Sequence, residues 1–129
     1  MITVVAALIV KDDKVLLARR LGSADGNSGK WEFPGGKVEK DEDEKTAIER
    51  EIYEEINVKV KAIKFLTNNI CEYPTRTIDL RLYECSYISG EFKLNAHSEY
   101  KYVSKEEILE FDLCEADIPL AKYVKNVKY

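Results

Sequence analysis

The sequence predicts an α+β fold, a mixed β-sheet sandwiched between α-helices. Three observations carry this. A strand-like apolar run opens the chain, one amphipathic helix pattern lies between strand patterns, and helix signals return near the C-terminal end. A chain of 129 residues suits one domain with its own core, and residues 1–129 are read as a single domain.

The elements follow in order. Thr3 to Val10 is apolar and rich in β-branched residues, the pattern of a strand covered on both faces. Asp12-Asp13 makes a turn, and Val15 to Arg19 returns as a second strand. Leu21 to Lys30 is loop chemistry, rich in Gly, Ser, Asn and Asp. Trp31-Glu32-Phe33 reads as a short aromatic strand stopped by Pro34-Gly35-Gly36. A helix is expected from near Asp41, with Asp41 as N-cap and Glu44 three residues on in a capping-box pattern. Ala47, Ile48, Ile52 and Ile56 form its apolar stripe, and Asn57, which tolerates the left-handed conformation, ends it.

Val58 to Leu66 and Ile70 to Tyr73 read as two strands. Arg76 to Ile88 alternates, with Ile78, Leu80 and Leu82 on one face and Tyr83, Cys85 and Tyr87 on the opposite parity. A bulge is therefore expected near Leu82 to Glu84. Short strands are expected at Glu91 to Leu94 and Tyr100 to Val103. Ser104 to Glu107 is a second capping box, opening a short helix to about Phe111. Pro119 opens a last helix with Leu120, Tyr123, Val124 and Val127 on its inner face.

Composition narrows the function classes. With 45% hydrophobic and 34% charged residues the chain reads as ordered and globular. No apolar run approaches the roughly 20 residues of a membrane helix, and no basic-then-apolar leader opens the chain. A net charge of −4 speaks against binding a nucleic-acid polymer. Cys71, Cys85 and Cys114 are three, widely spaced and remote from His97, which fits reduced thiols in a cytoplasmic protein better than zinc or disulfides.

The charge is concentrated. Gly35 to Val58 holds nine acidic and four basic residues, a net −5, so the rest of the chain sums to +1. At about 100° per helical residue, Glu51, Glu54 and Glu55 share one arc of about 100°. That arc lies beside the apolar stripe rather than opposite it. Like charges so placed repel, and oxygen-rich carboxylate clusters are what hard divalent cations bind. A solvated, salt-bridged helix face is the plainer explanation of the same charges.

Spacing separates the two. The segment reads Gly36, five residues, Glu42, seven residues, Arg50-Glu51-Ile52, one residue, Glu54-Glu55, one residue, Asn57-Val58. It resembles the box of the Nudix hydrolase family, departing only where Asn57 replaces a glycine. Six such identities coincide by chance about once in 10⁷ windows. Trp31 to Gly36, Leu16 to Arg20 and Ala116 to Pro119 are also similar to the MutT-like and CTP pyrophosphohydrolase-like branch.

The resemblance implies the α/β/α Nudix fold and a Mg²⁺-dependent pyrophosphohydrolase (Mn²⁺ the alternative ion) that turns a (d)NTP and water into a (d)NMP and diphosphate. Substrates of 8-oxo-dGTP or (d)CTP type are implied, with a role in sanitising the nucleotide pool. Metal ligands would be the Gly36 carbonyl, Glu51, Glu54 and Glu55, with Arg50 and Glu42 orienting them. Catalysis would rest on Glu54, Glu51 and Arg50, with Glu99 as the acid of a later loop and His97 able to serve instead. Arg20, Phe33, Arg76 and Asp117 would hold the nucleotide. Alternatives are a hydrolase of dinucleoside polyphosphates or ADP-ribose, and a non-catalytic nucleotide-binding module. Either a monomer or a homodimer is compatible with the sequence.

Overall fold

In the computed structural model, residues 1–21 and 28–127 are described; positions 22–27 of the expected loop lie outside them. The described residues form seven strands: β1 (Ile2–Lys11), β2 (Lys14–Arg20), β3 (Trp31–Glu32), β4 (Gly35–Lys37), β5 (Lys59–Tyr73), β6 (Arg76–Ser89) and β7 (His97–Ser104). Helix α1 spans Glu44–Ile56 and α2 spans Ile118–Asn126. The spatial order is β3-β2-β1-β6-β5, with β4 on β1 and β7 on β2. Among the named strands only β1 and β6 run parallel, so the sheet is mixed. Among the described residues no helix is long and apolar enough to cross a membrane.

Each face of the sheet carries its own core. Val5, Ile9, Leu16, Val60 and Cys85 meet the stripe Ala47, Ile48, Ile52 and Ile56 of α1. Leu8, Leu17, Trp31 and Leu82 meet Leu120 and Val124 of α2. Burying the three isoleucines of α1 stabilises the fold by roughly 5–9 kcal/mol as an upper bound. The α+β sandwich expected from the sequence is the fold observed.

The feature that positions everything else is a split. Asp12 and Asp13, both at positive φ (51° and 62°), form the tight hairpin turn between β1 and β2. Beyond Val10↔Val15 and Lys11↔Lys14 those two strands part. Into the gap come β3, paired with β2, and β4, paired with β1, joined by Phe33-Pro34. Gly35 must be glycine there, because a Cβ would lie 1.9 Å from the Val5 carbonyl oxygen.

Several expectations need correction. Pro34-Gly35-Gly36 does not simply stop a strand, since Gly35–Lys37 pairs as β4. Asp41 does not cap α1, for it sits at φ 65°. Glu39 and Glu42 close a turn of their own, the Glu39 N–H donating to Glu42 Oε1 at 3.0 Å, so the cap passes to Asp43, which accepts from the Thr46 N–H at 2.8 Å. β5 is one strand, not two, because Asn68 and Asn69 find side-chain partners at Asp79 and the Ala116 carbonyl without breaking the ladder. The irregularity placed on β6 lies on β5, between Ala62/Lys64 and Phe65/Thr67. β6 holds continuous register with β1, and its change of parity reflects Leu82 facing one core while Tyr83 and Cys85 face the other.

Glu91 to Leu94 is not a strand. The segment instead satisfies the open carbonyls of α1: the Lys93 N–H donates to Ile56 O and the Asn95 N–H to Glu55 O. Strand β7 begins earlier than expected, at His97. Ser104 and Glu107 do bond reciprocally, but they open only a 3₁₀ turn at Ile108–Glu110, because Phe111 turns extended to pack edge-on against Trp31. Val127 lies beyond α2.

Asn57 ends α1 at φ 62° and ψ 22°, its N–H donating to Tyr53 O and its Nδ2 to Glu91 O. Asn57→Ala is expected to lower stability by about 1 kcal/mol, a few degrees in Tm. Asn57→Gly should melt close to wild type. Equal loss in both variants would show that the side-chain bond to Glu91, not the backbone conformation, matters.

Candidate active site

Arg50 organises the acidic row. Its guanidinium grips Glu42 with two bonds, Nε to Oε2 at 2.7 Å and Nη2 to Oε1 at 2.8 Å. It also reaches Glu51 Oε1 at 2.9 Å, Glu54 Oε2 at 3.3 Å and the Lys37 carbonyl at 3.1 Å. One planar fork therefore ties the loop after β4 to the face of α1. Arg50 and the Glu39 N–H hold the Glu42 carboxyl down at about 2. Glu42 lies outside the helix, so it is a partner of Arg50 rather than a first-turn acid.

The three glutamates differ in surroundings. Glu54 is exposed, its side chain 58% accessible, against 17% for Glu51. Glu51 lies so close over β4 that a Cβ on Gly36 would meet its carboxyl carbon at 2.3 Å. Glu55 turns under β4 and accepts from the Gly35 N–H at 3.1 Å. Burial first, then the negative charges of Glu32 and Glu51, push the Glu55 carboxyl up to about 8. Repelling carboxylates beside a backbone stripped of Cβ atoms form a donor set that suits a hard, oxygen-seeking divalent cation. Arg50 holds Glu51 and Glu54, and Glu55 faces Gly35.

Glu55 and Gly36 also border a cavity of about 410 Å³. It opens at the split between β1 and β2 and is lined by Arg20, Glu32, Phe33, Arg76, His97 and Asp117. All four residues expected to hold a nucleotide are thus brought together. Phe33 is 3% exposed and belongs to the core beneath α2 while bordering the cavity. Asp117 does not cap α2; its Oδ2 accepts from the Phe33 N–H at 3.0 Å. Full burial, with the Glu32 charge beside it, raises the Asp117 carboxyl well above the usual carboxylate range. Arg76 lies over the Tyr73 ring, 5.9 Å from its centroid.

Glu99 is the exception. It faces Arg19 across the β2–β7 ladder on the exposed side, with Arg19 Nη1 donating to Oε1 at 3.2 Å, and it does not line the cavity. Sequence reasoning missed Glu32. Arg20 Nη1 donates to its Oε1 at 3.2 Å, and His97 Nε2 meets its Oε2 at 2.9 Å. Ligand-type atoms of Glu32, Cys114 and Asp117 lie within 4.8 Å of one another. One signal was available: an acid inside the aromatic strand Trp31-Glu32-Phe33 must point away from the core its neighbours enter.

Comparison with known proteins agrees. The family profile described as the NUDIX domain matches residues 1–124. Over 120 residues the chain is 38% identical to the CTP pyrophosphohydrolase of Escherichia coli (strain K12), covering 93% of this chain and 88% of that one. Over 74 residues it is 39% identical to the 8-oxo-dGTP diphosphatase of Proteus vulgaris, 57% of this chain and 64% of that one. Among solved structures, that of the E. coli ORF135 protein superposes with a TM-score of 0.87 at 37% identity, covering 95% of this chain and 87% of that one.

The Glu55 environment yields a pH prediction. Its folded pKa of about 8 stands above the ordinary 4.5. Its stabilising contribution is therefore complete below about 4.5 and lost as pH rises through about 8. A cation held by the carboxylate replaces that proton, so the rise in Tm on adding Mg²⁺ should be larger near pH 8.5 than near pH 5.5. Glu55→Gln should flatten the difference. Equal shifts at both pH values in the wild type would count against Glu55 as a ligand.

Proposed function

The chain belongs to the NUDIX family, and we propose that it is a divalent-metal-dependent pyrophosphohydrolase converting a nucleoside triphosphate and water to the monophosphate and diphosphate. One observation carries this reading: the row Glu51, Glu54 and Glu55 meets, at Glu55 and Gly36, a cavity lined by Arg20, Arg76 and the carboxyls of Glu32 and Asp117. The names of the relatives support substrates of (d)CTP or 8-oxo-dGTP type.

In this reading the Gly36 carbonyl, Glu51, Glu54 and Glu55 hold Mg²⁺, with Mn²⁺ as the substitute. A divalent ion held there would supply positive charge against the phosphates and make an attacking water more acidic. Arg50 keeps Glu51 and Glu54 oriented, with Glu42 fixing Arg50. Glu54, the most accessible of the row, takes the proton of the attacking water. Arg20 and Arg76 meet phosphate or a base edge, and Phe33 offers a flat face. Asp117, whose buried carboxyl is raised well above the usual carboxylate range, turns its oxygens to the hydrogen-bonding edge of a base. Residues 1–129 act as one domain, with both cores sharing one sheet. A cytoplasmic setting accords with Cys71, Cys85 and Cys114 forming no disulfide among the described residues.

A panel of 8-oxo-dGTP, dCTP, 5-methyl-dCTP, dATP and ADP-ribose, assayed for Mg²⁺-dependent diphosphate release, tests the reading. Release from a dNTP is expected, and release from none would overturn it. Glu54→Gln should lower kcat by at least about 10²-fold with an unchanged circular dichroism spectrum. Near-normal turnover in that variant would remove Glu54 from the chemistry.

A further inference from the structure

His97 is the chain's one histidine, and it is 4% exposed at the cavity wall. Its Nε2 lies 2.9 Å from Glu32 Oε2, while Nδ1 is buried with no hydrogen-bond partner among the described residues. These two facts assign the tautomer. Facing a carboxylate oxygen, Nε2 carries the proton. A buried N–H at Nδ1 would be orphaned, whereas a bare lone pair there costs less. The imidazole is thus a donor to Glu32, and its one basic nitrogen is enclosed, which leaves it poorly placed to take a proton from water.

Glu32 in turn holds Arg20 through its other oxygen, at 3.2 Å. The chain His97–Glu32–Arg20 joins the starts or ends of three strands, β7, β3 and β2, at the cavity. Two backbone features aim it. Arg19 pairs with Glu99, but Arg20 pairs with His97, so Ser98 is an extra residue and its Oγ donates to Arg19 O at 3.4 Å. Bulges of this kind re-aim a side chain beside a site. Two residues earlier, Asn95 fastens the same segment to α1, its N–H to Glu55 O and its Nδ2 to Glu54 O, each at 3.1 Å.

We propose that His97 is a positioning residue: it fixes the Glu32 carboxylate, and through it the Arg20 guanidinium, in the orientation that binds the nucleotide. This rests on the nucleotide-hydrolase reading above. A positioning role predicts a distinct pattern of kinetics. His97→Ala frees Glu32 to rotate and lets Arg20 follow it. KM for the preferred dNTP should rise about tenfold, with kcat per folded molecule within about threefold. His97→Gln keeps a donor of similar reach and should restore KM to within about threefold.

Three other outcomes overturn the proposal. A collapse of kcat with KM unchanged would make His97 a catalytic acid or base. Unchanged constants in His97→Ala would leave it a core residue. An equal KM rise in His97→Gln would exclude the hydrogen bond as the cause. A second measurement is independent of turnover. The long-range ¹H–¹⁵N spectrum of the side chain, unambiguous because there is one histidine, should show the Nε2–H tautomer and should change in Glu32→Gln. A different tautomer, or no response to that substitution, sinks the proposal even for an active enzyme. If the wild type hydrolyses no nucleotide, the functional reading fails separately, while the spectrum still decides whether His97 holds Glu32.

Discussion

Arg50 is the interaction on which the acidic site depends. Three glutamates on one helical arc repel one another, and Glu42 adds a fourth charge at the same place. The guanidinium resolves this with five hydrogen bonds to Glu42, Glu51, Glu54 and the Lys37 carbonyl. Lysine offers a point charge and could not reproduce the fork. The contacts matter less for net stability than for geometry, since ion pairs removed from water roughly offset their desolvation. Their effect is to lock the loop after β4 onto α1, so that Gly36 and Glu51 meet.

The second constraint is the parting of β1 and β2. A hairpin whose strands stayed paired would close the sheet and leave no room. Here β3 and β4 enter the gap, and the chain between them must pass close to β1. That forces Gly35, whose missing Cβ admits the Val5 carbonyl, and leaves the Gly35 N–H for Glu55. The cavity and the acidic row are thus two consequences of one wedge, and they share Glu55 and Gly36 as a common wall.

This explains which parts were legible in the sequence. The α1 stripe, the Arg50–Glu55 arc and the paired glycines are local patterns with fixed periods, and they appear where expected. Arg20, Phe33, Arg76 and Asp117 are distant in sequence; a family resemblance brought them together, and composition alone had no means to do so. Glu32 and His97 were obscured for a different reason. Their meaning lies in a cross-strand contact created by a one-residue bulge, and a bulge has no signature in side-chain alternation. The Asp41 cap and the β6 bulge failed similarly: a turn between Glu39 and Glu42 displaced the first, and two separate cores mimicked the second.

The electrostatics of the cavity bind these pieces together. Burial first, and then the charge of Glu32, raise the proton affinity of both Glu55 and Asp117. The raised proton affinity of these two carboxyls lowers the negative charge of the pocket, which favours the approach of an anionic ligand. Arg20, however, is already engaged by Glu32, so its charge is partly compensated before any ligand arrives. An anhydride carrying several negative charges therefore needs positive charge from elsewhere. In the proposed reading the row beside Gly36 supplies it, with a cation taking the place of the Glu55 proton.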